Sequence, residues 1–287
     1  MKLSEAFDLY AKYMAVKGQS RRTIEHNEYV KSRLIEVVGD IKLSRLTLDD
    51  VYEWRRSMLV GELPSGRKVK RAQNSLRCDI LRLRAMLKYM GLIGQKCIDY
   101  EVIPVPKRED VERCFLYEDE VTKMVDAAFS LRNKFVISLL YSSGIRLSEF
   151  IALDRNAIQN RCFTVVGKGG KLRLCFIDER TEELMDEYLA TRNDSCPALV
   201  VSNLYKQRMS ASNVQLLVRN TARRAGIDKA VTPHVFRHSF ATNFISNNGG
   251  IKPLSELLGH KSLDTTAIYT HIINNELAKQ YQQFHSF

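Results

Sequence analysis

No Cys-x-x-C pair occurs in this 287-residue chain; its six cysteines, Cys78, Cys97, Cys114, Cys162, Cys175 and Cys196, are scattered. That spacing signals neither a zinc site nor a disulfide framework, and it predicts reduced thiols in a cytoplasmic compartment. An uninterrupted apolar stretch of about 18 residues, the length that reads as a membrane span, is also missing, and the opening Met-Lys-Leu-Ser-Glu-Ala-Phe-Asp lacks the apolar run of a signal peptide. Neither a Gly-x-x-x-x-Gly-Lys-Ser/Thr phosphate loop nor a His-Glu-x-x-His zinc motif is found. The expectation is a chain with no membrane passage, no ATP use, no metal and no cofactor.

Acids are locally scarce. The formal net charge is +11, which by itself implies only solubility and non-specific polyanion binding. Its distribution says more. Residues 65–90 carry Arg67, Lys68, Lys70, Arg71, Arg77, Arg82, Arg84 and Lys88 against one acid, Asp79. A solvated helix face usually mixes signs through i,i+4 pairs, so this run is expected to meet phosphate, with Arg67, Lys68, Lys70, Arg71, Arg77, Arg82 and Arg84 as the DNA-binding candidates. Arg219, Arg223 and Arg224 form a second cationic row, which fits DNA contact and a solvated face equally well.

What is present is enough apolar material, 45% of residues, to fill one large core or two ordinary ones. Up to about Glu101 the periodicity is helical throughout. Leu3, Phe7, Tyr10, Tyr13 and Met14 recur on one stripe. Ser20 opens a second helix that Gly39 ends, and a third begins near Thr47 with Asp49 and Asp50 in its first turn. A fourth, long helix ends near Gly91. The prolines and charges of residues 103–110 favour extended, solvated backbone. The expected organisation is therefore an all-α domain over residues 1–102, a linker over 103–112 and a second domain over 113–287.

In that second part, helices are expected over residues 118–131 and 133–141, with Ser142-Ser-Gly144 placing Arg146 near the start of the next. Two short β-prone runs flank Gly167 to Gly170, a hairpin signal. Asp178 can start a helix, and Ser212-x-x-Gln215 reads as a capping box. The densest chemistry lies in residues 233–271. Thr232 followed by Pro233 is a helix start. Phe236, Phe240 and Phe244 then share a core stripe, with His234, Arg237 and His238 on the other side. Residues 253–258 make a short helix stopped by Gly259, a residue that tolerates the left-handed backbone of a helix end. His260 comes directly after it, and Tyr269 sits on a last short helix.

His234-x-x-Arg237, Leu258-Gly259-His260 and Tyr269 nine residues later resemble the tyrosine recombinases, the phage integrase family that includes the Xer-type resolvases. Leu139-Leu-Tyr-Ser-Ser-Gly-Ile-Arg146-Leu-Ser-Glu149 is similar to the family's first arginine block, and Gly167-Lys168-Gly169-Gly170-Lys171-Leu-Arg173 to the hairpin that carries its lysine. The match before Arg113 is modest: Tyr13, Lys17-Gly18-Gln19-Ser20 and Thr23-Ile24 resemble the entry to the core-binding domain. The resemblance implies a mainly α fold with a small β-sheet, in which an all-α, SAM-like core-binding domain and an α+β catalytic domain form a C-shaped DNA clamp. It implies a site-specific recombinase of the cytoplasm, associated with the nucleoid. Four protomers would act on two inverted-repeat core sites in double-stranded DNA through a Holliday junction, as a homotetramer or with a paralogue.

Two arginines can grip both non-bridging oxygens of a phosphodiester and stay charged at every relevant pH; Arg146 and Arg237 fit that task. A tyrosine hydroxyl, with a pKa of about 10, must lose its proton as it attacks. By resemblance Tyr269 is the nucleophile, His234 the base, Lys168 the acid for the leaving hydroxyl, and His260 a hydrogen-bond donor to the transition state. The product would be a 3′-phosphotyrosyl linkage, which a second DNA hydroxyl can reverse. The tail carrying Ile272, Leu277, Tyr281, Phe284 and Phe287 is amphipathic and fits its own core or, as the resemblance implies, a neighbouring protomer. Three rivals remain at this stage: a type IB topoisomerase, a silent DNA-binding regulator, and a metalloenzyme using His234 and His238. Integration or excision of a mobile element and resolution of DNA dimers would use the same site.

Overall fold

Two of the helices in the first part of the chain open on side-chain caps. The computed structural model describes residues 1–66, 68–109, 114–167 and 170–259. Four helices come first: α1 (Leu3–Val16), α2 (Arg21–Val38), α3 (Leu48–Val60) and α4 (Gln73–Leu92). The Ser20 hydroxyl accepts from the Thr23 N–H to open α2, and Thr47 and Asp50 form a reciprocal capping box at α3. Of the expected stripe of α1, Leu3, Phe7, Tyr10 and Met14 are buried and Tyr13 partly so, against Val30, Leu34, Trp54, Met58, Leu83 and Met86. A fully buried tryptophan such as Trp54 is worth about 3–5 kcal/mol against alanine.

Residues 103–109, expected to run as a linker, are strapped to α4. Ile103 is buried in this first core. Its carbonyl accepts from Arg84 Nη1 at 3.3 Å, the Pro106 carbonyl accepts from Arg77 Nη1 at 2.7 Å, and the Glu109 backbone exchanges two bonds with the Asn74 amide. Contacts divide the chain into Met1–Val111 and Glu112–Phe287. The rest of the expected linker lies outside the described residues.

The second unit is built around α6 (Leu131–Ser143), which has no polar face: Phe135, Val136, Ile137, Leu139 and Leu140 are all fully buried. It packs against α5 (Glu118–Asp126), α8 (Glu179–Ala190) and α10 (Pro233–Ser246). The boundary between α5 and α6 differs from the expectation because the Ser130 hydroxyl caps α6, accepting from Asn133 N–H. Gly144 ends α6 in the left-handed conformation, and α7 (Leu147–Ala152) begins after Arg146. Strands β1 (Cys162–Val166) and β2 (Leu172–Phe176) form the expected antiparallel hairpin, pairing Val166 with Leu172 and Cys162 with Phe176. Asp178 caps α8 as expected.

Two further helix starts and one cap depart from the sequence expectation. The helix expected from Ser212 is α9 (Ala211–Arg224), capped instead by Ser210, whose hydroxyl accepts from Asn213 N–H. Pro233 opens α10, but the Thr232 side chain makes no cap bond. The short helix expected from Pro253 begins earlier, as α11 (Ile251–Leu258). Pro253 falls in its first turn, where a missing N–H leaves nothing unpaired.

Candidate active site

The last carbonyls of α11 are the meeting point of the site. A helix end leaves carbonyls without intrahelical partners and favours cations, and here Gly259 ends α11 with φ 62°. Each final carbonyl accepts from a different arginine. Leu257 O accepts from Arg173 Nε at 3.0 Å, Leu258 O from Arg237 Nη2 at 2.6 Å and Gly259 O from Arg146 Nη2 at 3.4 Å. The three arginines come from β2, α10 and the N-cap of α7.

Arg237 is buried, with 9% of its surface exposed, and its Nη1 also donates to the Gly144 carbonyl at 2.7 Å. On the side of α10 expected to be polar, Arg237 therefore faces the interior. Phe236 is fully buried, while Phe240 and Phe244 join a smaller cluster with Ala241, Ile245, Leu254 and Leu258. His234 is exposed on the first turn. His238, expected beside it, turns its ring edge-on to Phe115, with centroids 6.5 Å apart.

Glu149 is the counter-charge. Its carboxylate accepts from the Arg146 backbone N–H at 2.8 Å and from Arg146 Nη1 at 2.9 Å. Arg173 grips both oxygens, at 2.5 and 2.6 Å. Burial pushes this carboxyl up, but the hydrogen bonds from Arg173 and Arg146 outweigh that and bring it down to about 2. Burial likewise lowers the Arg173 guanidinium, and the bond to Glu149 reverses the direction. Cys175, buried beside them, has its thiol pushed up by desolvation. In the sequence, Glu149 and Arg173 stand only as members of the arginine block and the hairpin block, with no role of their own.

Lys168, His260 and Tyr269 lie outside the described residues. The frame around two of them is defined. Gly167 and Lys171 close the hairpin, with Gly167 N–H donating to the Lys171 carbonyl at 2.7 Å. His260 is the next residue after the α11 corner.

In the first unit the basic run separates into two kinds of residue. Arg71 makes a bidentate pair with the buried Asp79, at 2.9 and 3.0 Å, and its guanidinium stacks over Tyr29. Asp79 also meets His26 at 2.6 Å. Arg77 and Arg84 bind the backbone of residues 103–106. Arg82 is half-buried on α4, Lys68 and Lys70 are exposed, and Arg67 lies outside the described residues.

The fold is that of the integrases. The structure of a lambda integrase (75–356) dimer bound to a COC′ core site matches with a TM-score of 0.75 at 18% identity, over 92% of this chain and 96% of that one. The crystal structure of XerA recombinase matches over 99% of both chains, at 26% identity and a TM-score of 0.54. In sequence, the Phage integrase family pattern covers residues 114–276. Tyrosine recombinase XerA of Pyrococcus horikoshii is 32% identical over 285 residues, 98% of this chain and 93% of that protein. The chain belongs to the phage integrase family, as its three motifs led one to expect, and is a tyrosine recombinase, an enzyme that breaks and rejoins DNA strands at specific sites.

Proposed function

We propose that this chain exchanges DNA strands with Tyr269 as nucleophile and with Arg146 and Arg237 gripping the scissile phosphate. The observation that carries this reading is the convergence of the two arginines, from α7 and α10, on the adjacent carbonyls Gly259 O and Leu258 O. Those bonds fix two delocalised cations on one corner, and a planar fork so held can meet phosphate oxygens bidentately. In a site shielded from water, such fixed charge stabilises the developing pentacovalent phosphorane without reorganising as it forms.

The remaining roles come from the motifs. His234, exposed at the start of α10, takes the tyrosine proton; Lys168 on the hairpin protonates the leaving hydroxyl; His260 donates to a phosphate oxygen. Exchange of one phosphodiester for a phosphotyrosyl ester conserves the bond energy, so a second DNA hydroxyl can reverse the attack. Lys68, Lys70 and the neighbouring cations of the first unit supply backbone contacts to double-stranded DNA. Two protomers on an inverted-repeat core site, and a tetramer on two such sites, fit this chemistry. The setting is the nucleoid, and the biological task is resolution of DNA dimers or integration and excision of a mobile element.

The test uses a duplex enriched from a random library by binding to the full-length protein, then nicked at successive positions so that a cleaved fragment diffuses away. Wild type and Tyr269→Phe are incubated with it in chelator and resolved on a denaturing gel. A slower covalent protein–DNA band with wild type alone is expected. Binding without any adduct at every nick position overturns the proposal.

A further inference from the structure

The burial of Arg173 calls for a physical reason. On β2 the usual order is inverted: Leu172, Leu174 and Phe176 are 69%, 47% and 48% exposed, while Arg173 and Cys175 face inward. Turning three apolar side chains toward water and a guanidinium into the interior is unfavourable unless the cation is paired and fully bonded. Arg173 is so bonded. It holds both oxygens of Glu149 and the Leu257 carbonyl, and its Cδ lies 2.8 Å from where a Cβ on Gly259 would stand.

We infer that Arg173 is a positioning residue for strand cleavage: it shares Glu149 with Arg146, leaving charge on Arg146 for the scissile phosphate, and it pins the α11 corner that precedes His260. This rests on the phosphate grip proposed above. Arg146 and Glu149 alone would form a neutral pair, because the carboxylate bonds both the backbone N–H and the guanidinium of Arg146. With Arg173 the trio carries one net positive charge. Since Arg173 lies five residues after Lys168, the same side chain anchors the Lys168 hairpin to α7 and α11.

The experiment compares full-length wild type, Arg173→Met, Arg173→Lys and the double variant Arg173→Met/Glu149→Gln. The enriched, nicked duplex is the substrate for single-turnover cleavage, with gel-shift affinity and thermal midpoint measured on the same preparations. Arg173→Met is expected to cleave on the order of 10²-fold more slowly, the effect of a misplacement of about 1 Å, with DNA affinity nearly unchanged. The double variant should recover part of that rate, because removing the carboxylate returns charge to Arg146; a purely structural prop predicts no recovery. Arg173→Lys, which keeps the charge and loses the fork, should fall between. If Arg173→Met does not fold, the double variant and Arg173→Lys still rank the charge effect. Cleavage by Arg173→Met at the wild-type rate, or a double variant no faster than the single one, overturns the inference. Absence of any adduct with wild type on DNA that it binds instead removes the proposed reaction, and this inference with it.

Discussion

Glu149 shows how much of the site depends on single side chains. Its carboxyl is held at about 2, below its ordinary value of 4.5, so between those values the unfolded chain binds more protons than the folded one. The stability that Glu149 contributes is complete above about pH 4.5 and is lost as the pH falls through about 2. Thermal midpoints of wild type and Glu149→Gln should therefore differ at pH 7 and converge on acidification through that window; a constant difference would contradict the linkage. For Arg237, exchange with lysine is not conservative, because one ammonium cannot reach both Gly144 O and Leu258 O along the directions a fork provides. Arg237→Lys is expected to lower single-turnover cleavage by about 10² to 10³, the cost of one transition-state donor, and to lower stability by about 1–3 kcal/mol for the carbonyl left unpaired.

At the level of elements, the end of α6 and the end of α11 work as a pair of corners. Gly144 has φ 56°, and a Cβ there would stand 2.7 Å from the Phe240 ring and 3.3 Å from Leu258. The left-handed backbone alone costs an alanine roughly 1–2 kcal/mol, and the ring belongs to a packed cluster with little room to retreat. Gly144→Ala should depress the thermal midpoint of the second unit and slow cleavage together, since the displaced carbonyl is the one Arg237 holds. Retention of both by this variant would show that the corner is looser than its geometry implies. The inner hairpin face, with Phe163 and Val165 beside Arg173 and Cys175, joins the core of this unit to the charge cluster.

Over the whole molecule, two separate cores divide the work: one carries the basic run and the other the arginine convergence. Phosphate contacts release counterions, so binding weakens linearly in log–log with salt. Lys68→Ala with Lys70→Ala is expected to weaken binding to all duplexes alike and to reduce the salt slope by about 0.9 per lost contact. Arg71→Ala should act differently, lowering the stability of the first unit, because it leaves the buried Asp79 with His26 as its remaining partner among the described residues. Gel-shift titrations at several salt concentrations, paired with thermal melts, separate the two effects.

The class of the protein and most of its helices were legible in the residues alone, for physical reasons that are local. Ser20, Thr47 and Asp178 cap the helices they precede, Gly39, Gly144 and Gly259 stop the helices they end, and the stripe of Leu3 and Phe7 repeats with the helix. The Arg146, Lys168, His234-x-x-Arg237 and Gly259-His260 motifs are also short-range patterns, readable in order along the chain. Where neighbouring serines compete for one cap, as Ser210 and Ser212 do, local chemistry alone was insufficient. Long-range packing settled which cations belong to the interior. Nothing near Arg71 in sequence marks its grip on Asp79 across the start of α4, and nothing in Leu172-Arg173-Leu174 reveals that the arginine turns inward. That choice depends on Glu149, 24 residues away, and on the carbonyl of Leu257, 84 residues away. A charge is buried only where distant chain supplies its partners, and only the folded molecule brings those partners together.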